Sequence, residues 1–141
     1  MPIKQVRDTV APYGRHHSMV FRVGLGTLMV LAGIHQFLVP ARWASYMAPL
    51  FADLFTSIGI TPVLFMQVNG LGELVLGALL LADVYTTTAA ALTTLGLVSI
   101  IVNLVIAGPA SYADIILRDI GLFFLGLGVT LQSTTDEVNK Q

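Results

Sequence analysis

Four apolar segments, each long enough to cross a membrane as a helix, make up most of the chain. An α-helix needs about 20 predominantly apolar residues to span the hydrocarbon core of a bilayer. The turns 83–86 and 108–111 are short, so the helices on either side of each turn are predicted to be antiparallel neighbours. The pattern predicts an all-α fold, an integral membrane four-helix bundle with spans at 19–39, 62–82, 87–107 and 112–132.

The connection between the first two predicted spans, residues 40–61, differs from the other two turns. Prolines divide it, and it carries several aromatic side chains but few charges. A loop of this length without secondary structure is uncommon. We therefore expect short helices in the membrane interface, with Trp43 and Tyr46 in the aromatic belt. The alternative is a segment that folds back as a lid over the bundle.

The composition supports a membrane protein and excludes several kinds of chemistry. Charged residues make up 11% of the 141 residues, against about 25% in soluble domains. The net charge is -1 and no basic patch is present, so nucleic acid is not expected as a partner. The chain has no cysteine, which excludes disulfides, iron–sulfur clusters and thiolate metal sites. His35 is the one histidine within a span, so neither haem nor a metal is expected.

The basic residues predict the orientation of the chain in a cell membrane. The connection 40–61 has one basic residue, Arg42. By contrast, four basic residues precede or open the first span: Lys4, Arg7, Arg15 and Arg22. Positively charged flanks stay in the cytoplasm. Both tails, residues 1–18 and 133–141, are therefore predicted to be cytoplasmic, and the connection 40–61 is predicted to face outward.

Small residues recur at a spacing of seven within each predicted span. Seven residues return to nearly the same helix face, and small residues there let two membrane helices approach closely. Glycine is also common in apolar helices generally, and the sequence leaves both interpretations open. The pairs are Gly26 and Gly33, Gly70 and Gly77, Gly96 and Asn103, and Gly121 and Gly128.

Glu73 is the one charged residue in the second span, near its middle. A carboxylate at that depth costs roughly 2.5–3.5 kcal/mol on insertion scales. The side chain must be protonated, paired with a cation, or directed into a polar cavity.

The predicted orientation gathers most strongly polar groups of the spans in the outer half of the membrane. The inner half retains little beyond Arg22, serines and threonines. Asp114 and Arg118 are four residues apart and are expected to pair along one helix. Glu73 and Asp119 are expected to share Arg118, or one of them holds a proton because of desolvation.

These residues form a candidate site, with Glu73 and Asp119 as acid–base groups. The expected ligand-binding residues are His35, Trp43, Asn69, Asn103, Asp114 and Arg118. Ionisable residues within spans are functional candidates by default. Polar residues between membrane helices also hold helices together, so a purely structural cluster is the alternative.

Two motifs give the chain a resemblance to a known family. The pattern G-x-x-x-F-x-x-P runs from Gly33 to Pro40, and G-x-x-E-x-x-x-G-x-x-L-L begins at Gly70 and contains Glu73. With Ala89-Ala90-Ala91 after the second turn, the chain resembles the DoxX-like family. The resemblance implies a four-helix integral membrane protein from a bacterium or archaeon. The family includes a membrane subunit associated with thiosulfate:quinone oxidoreductase.

Three functions are compatible with this sequence. The first is a quinone-associated redox subunit that holds an isoprenoid quinone near Glu73, His35 and Asp119. The second is a non-catalytic membrane scaffold that forms a homo-oligomer or docks a redox partner subunit. The third is a proton-coupled small transporter, which the lack of a second polar route toward the cytoplasm makes less favourable.

Overall fold

The computed structural model describes residues 3–138, and within that range the chain is helical without any strand. This confirms the all-α prediction. A short 3-10 helix at Ala11–His16 joins the first two helices. The α-helices are α1 (Ile3–Val10), α2 (His17–Leu38), α3 (Pro40–Ala44), α4 (Pro49–Ser57), α5 (Pro62–Ala82), α6 (Thr86–Ala107) and α7 (Ala113–Val138).

Three of the described helices, α2, α5 and α6, are long and apolar enough to cross a membrane. The helix α7 is not among them, although a span was predicted at 112–132. Its first two turns carry Asp114, Arg118 and Asp119, and its helical conformation continues past residue 132 to Val138. The charges that marked this segment as a candidate site also make it the least apolar of the long helices.

The four long helices pack as two antiparallel pairs, α2 with α5 and α6 with α7. Helix α5 also contacts α6, and α2 contacts α7. We call the end with residues 39–61 and the α6–α7 turn the loop end. The opposite end, with the start of α2, the α5–α6 turn and the last turns of α7, is the terminal end.

The glycines of the first pair hold α2 and α5 in backbone contact. A Cβ atom added to Gly33 would lie 2.6 Å from the carbonyl oxygen of Gly70. A Cβ on Gly77 would lie 2.8 Å from the carbonyl oxygen of Gly26. The predicted small-residue faces are therefore confirmed for α2 and α5.

In the second pair the prediction is wrong. Nothing lies within 4 Å of a Cβ added to Gly96, Gly121 or Gly128. The close approach occurs instead at Gly126, where a Cβ would lie 2.6 Å from the hydroxyl oxygen of Thr94. Spacing identifies a helix face, but it does not say which neighbour that face meets.

The connection between α2 and α5 contains the short helices α3 and α4, as the prolines predicted. The backbone between α3 and α4 packs into the bundle. Ala48 in this stretch is fully buried, and Met47 is nearly so. In α4, Phe55 stacks on Phe65 of α5 with 4.4 Å between ring centroids. The leucines of α4 remain exposed, as expected for an apolar face against lipid. The segment thus contains the predicted short helices, and part of its backbone packs into the bundle.

The apolar core lies toward the terminal end. Leu25, Leu80, Ala89, Ala90 and Val129 form one buried cluster contributed by all four long helices. This cluster closes the space between the two pairs.

Replacement of Gly33 by alanine is expected to destabilise the protein by about 1–3 kcal/mol, because the new methyl group meets backbone that cannot rotate away. The matched control is Gly24→Ala in the same helix, where nothing lies within 4 Å of the added Cβ. The measurement is thermal unfolding in a mild detergent. Equal melting temperatures for the two variants would contradict the proposed contact.

Candidate functional site

Three polar side chains connect α2 and α5 within the loop-end half of the bundle. The amide nitrogen of Asn69 donates to Gln36 Oε1 at 2.9 Å and to Glu73 Oε1 at 3.0 Å. Gln36 Nε2 donates to the sulfur of Met66 at 3.3 Å. Gln36 is only 3% exposed, yet it was not among the predicted site residues. Its position one turn after Gly33, on the face that meets α5, is the signal that identifies it.

Glu73 has one satisfied oxygen and one unsatisfied oxygen. Oε1 accepts the hydrogen bond from Asn69, whereas Oε2 is buried without a hydrogen-bond partner among the described residues. Thr93 Oγ1 on α6 is a second buried atom in this condition. Most buried polar groups are hydrogen-bonded, so an unsatisfied carboxylate oxygen needs a specific explanation.

Arg118 does not make the contacts that were predicted for it. Its Nε donates to Asp119 Oδ1 at 2.9 Å, whereas no bond joins it to Asp114 or to Glu73 in the described structure. Asp119 is 2% exposed, but the Arg118 side chain is 58% exposed. The buried carboxylate therefore points into the bundle, and the guanidinium extends toward the outside. Asp114 is exposed and lies outside this arrangement.

Asp119 and Glu73 lie at different depths. At 1.5 Å per residue, Glu73 is about 16 Å and Asp119 about 9 Å from the loop-end starts of α5 and α7. Asp119 is thus closer to the level of Asn69 and Gln36 than to that of Glu73. The two carboxylates lie on different helix pairs, and no hydrogen bond or ion pair joins them within the described structure.

Asn103 has a structural role in place of the predicted ligand contact. Its Nδ2 donates to the carbonyl of Tyr46 at 2.8 Å, and its Oδ1 accepts from the backbone nitrogen of Ala48 at 2.9 Å. Both ends of the amide are therefore used to hold the segment between α3 and α4 against α6.

His35 and Trp43 form a hydrogen bond with each other at the loop end. Trp43 Nε1 donates to His35 Nδ1 at 2.8 Å, so the single donor of the indole is occupied. Edge-to-face contacts continue from Trp43 to Tyr46 and from Tyr46 to Tyr112 on the α7 side. His35 itself is exposed. The two predicted ligand-binding residues form an aromatic rim at the loop end, while Glu73 lies deeper.

A family model described as DoxX matches residues 17–106. The chain belongs to the DoxX family. The match extends from the first residue of α2 almost to the end of α6, so it includes Glu73 and Asn103. The charged residues of α7 lie beyond it. No curated protein and no solved structure matches the chain significantly.

This DoxX-family chain also has a polar cavity that the sequence did not predict. It has a volume of about 310 Å³ and opens at the terminal end, opposite the loop-end half that contains Glu73. Within the predicted spans its polar lining is limited to Arg22 and Gln132, so it does not contradict the expectation that the inner half retains few polar groups. The lining comes from the start of α2, the α5–α6 turn and the last turns of α7, and most of these residues lie at or beyond the predicted span ends. Among the residues that the structure describes, no group of three histidine or acidic side chains could hold a metal ion.

Replacement of Asn103 by alanine is expected to lower the free energy of unfolding by about 1–3 kcal/mol, because the buried nitrogen of Ala48 loses its acceptor. Gln67→Ala is the matched control, since Gln67 forms no side-chain hydrogen bond within the described structure. Thermal unfolding and limited proteolysis of the connection 40–61 measure the effect. Unchanged protease resistance in Asn103→Ala would contradict the role assigned to this side chain.

Proposed function

We propose that this DoxX-family protein is the four-span membrane subunit of a quinone-linked redox system, with Glu73 as the group that contacts the quinone ring. The observation that carries the proposal is the buried Oε2 of Glu73, which has no hydrogen-bond partner among the described residues. A ligand hydroxyl group can donate to that atom, and a ligand carbonyl group can accept from it when the carboxyl group is protonated.

The length of α7 supports four spans. Its 26 residues correspond to about 39 Å, more than the roughly 30 Å hydrocarbon core. Its C-terminal half packs against α6, where Thr94 lies beside Gly126 and Thr87 Oγ1 donates to Ser133 at 2.9 Å. Arg118 is near the loop end, where an arginine can extend to the interface. In this proposal both termini are cytoplasmic, as the distribution of basic residues predicts.

Hydrogen bonds through the side-chain amides of Gln36 and Asn69 fix the orientation of Glu73. Met66, Gln36 and Asn69 fix the position of Oε1, so the carboxyl group has a defined orientation while Oε2 remains available. The lipid-facing surface of α5, with Val68 and Val75 exposed, offers an apolar path for an isoprenoid tail. A bound quinone supplies two-electron, two-proton redox chemistry. The carboxyl group of Glu73 can donate or accept one of those protons.

Asp119 is proposed as the second proton-exchanging group. It is buried beside Arg118, whose side chain is largely exposed, so this carboxylate lies next to the water-accessible surface at the loop end. The chain has no cysteine, and in this proposal the electrons come from a redox partner subunit.

A structural scaffold is the second candidate, and two observations favour it. Asn103 uses both of its polar atoms to hold backbone, and the Gly33–Gly70 contact uses small residues to join two helices. In a scaffold, Glu73 would likewise serve only to fix α5 against α2. The transporter alternative is less favourable, because the apolar cluster around Leu80 and Val129 separates the terminal-end cavity from the loop-end carboxylates.

The quinone proposal predicts that Glu73→Gln lowers affinity for the reduced quinol about tenfold. The carboxylate accepts a charge-assisted hydrogen bond from the quinol hydroxyl, which contributes about 1.5–3 kcal/mol, and an amide oxygen replaces only part of it. Quinone bound to protein purified in mild detergent is measured by mass spectrometry and by titration. Gln67→Ala on the same helix is the control and is expected to retain quinone.

The scaffold candidate predicts the opposite outcome of the quinone measurements. Wild-type protein would contain no quinone and show no affinity in the titration, and Glu73→Gln would lower the melting temperature without changing any ligand. Under the quinone proposal, melting of the quinone-free protein is expected to change little, because removal of an unsatisfied buried carboxylate offsets the altered hydrogen bond to Asn69.

A further inference from the structure

The cavity at the terminal end is not used by the proposed quinone function. Its volume of about 310 Å³ is at the lower end of the roughly 300–1,000 Å³ found for small-molecule sites. Met19 and Val129 contribute apolar surface, and the rest of the lining is mainly polar or charged. The space is therefore suitable for a small ligand with one charged group and a short apolar part.

One charged group of the described cavity lining has no ion-pair partner. Arg22 Nε lies 3.4 Å from Asp83 Oδ1, and Arg22 Nη1 donates to the carbonyl oxygens of Leu80 and Leu81. The guanidinium is thus matched by Asp83. Asp136 also lines the cavity, and it has no hydrogen-bond or ion-pair partner among the described residues. Among the described residues of the lining, Arg22 and Asp83 are therefore paired, whereas the carboxylate of Asp136 is not; His16 also lines the cavity.

The hydrogen bonds within the cavity lining show which donor and acceptor groups remain free to contact a ligand. The hydroxyl of Thr86 donates to Asp83 at 2.7 Å, and the hydroxyl of Ser133 donates to the carbonyl of Thr130 at 3.0 Å. His17 and Gln132 contact each other through Nε2 atoms 2.7 Å apart, and Nδ1 of the same imidazole lies 2.6 Å from the carbonyl oxygen of Gly14.

A carbonyl oxygen cannot donate, so Nδ1 of His17 carries the hydrogen and its Nε2 accepts from the side-chain amide of Gln132. Three donors of the cavity lining are therefore already used within the protein: the hydroxyl groups of Thr86 and Ser133 and the side-chain amide of Gln132. The lining retains three acceptors, which are the carboxylate of Asp136, Oε1 of Gln132 and the lone pairs of Thr86. It also retains the hydroxyl groups of Ser18 and Tyr85, which can accept as well as donate.

We propose that this cavity binds a protonated primary amine, with Asp136 as its counter-charge. An ammonium group has three donors and no acceptor, which complements a cavity with free acceptors and one unmatched carboxylate. Two sources provide this chemistry: the ethanolamine headgroup of an aminophospholipid, which reaches the site from the adjoining membrane surface, or a free small amine. The inference is independent of the quinone proposal, because it uses different residues at the other end of the bundle.

The test is binding to the full-length protein in detergent, followed by melting temperature and native mass spectrometry. The probes are short-chain phosphatidylethanolamine and ethanolamine, and the matched probes without a primary ammonium are phosphatidylcholine and ethylene glycol. We expect Asp136→Asn to weaken binding of the amine-containing probe about tenfold or more. Asp53→Asn, on the exposed surface of α4 at the loop end, is the control and is expected to bind as wild type does.

Each outcome decides the proposal. Binding of phosphatidylethanolamine alone identifies a lipid headgroup site, and comparable binding of ethanolamine identifies a site for a free amine. Equal effects of phosphatidylethanolamine and phosphatidylcholine, with no effect of ethanolamine, would overturn the proposal. Unchanged amine binding in Asp136→Asn would overturn it as well. A variant that fails to fold is replaced by Gln132→Leu, which removes the Oε1 acceptor and is expected to weaken the same probe.

Discussion

The close approach of α2 and α5 at their glycines is the contact on which the rest of the loop-end half depends. Because Gly33 and Gly70 bring the two backbones together, Gln36 reaches Asn69 across the interface. Asn69 can then hold Glu73 from the preceding turn of its own helix. A larger residue at either glycine would separate the helices and the three polar side chains together. In a membrane, where apolar side chains gain little from meeting one another, such contact between backbones is a principal source of helix association.

Polar side chains are accommodated in different ways at the two ends of the bundle. At the loop end, buried polar groups bind one another or the backbone, as Asn103 does, and one carboxylate oxygen of Glu73 is left over. At the terminal end, polar groups surround a cavity that connects with the outside. The apolar cluster that includes Leu25 keeps these regions apart. This separation lets the two ends have unrelated ligands.

Much of the architecture could be predicted from the sequence, because apolar length and proline positions are local properties. The helices α5 and α6 begin and end within a residue of prediction, and the α2–α5 glycine faces were correctly identified. The site was predicted less well. Arg118 binds its neighbour Asp119 in preference to Asp114, and the role of Asn103 depends on a backbone segment 55 residues away in the chain. The terminal-end cavity combines three distant segments, and no local pattern encodes such a combination.

The way in which Asn103 holds the connection between α3 and α4 has a consequence for how related sequences can diverge. The amide recognises a carbonyl and a backbone N–H, which every residue except proline supplies. The side chain at position 46 can therefore vary without loss of the contact, whereas position 48 is fully buried and must remain small. Selection would act on a single amide in α6, and the segment it holds would be free to acquire new surface chemistry.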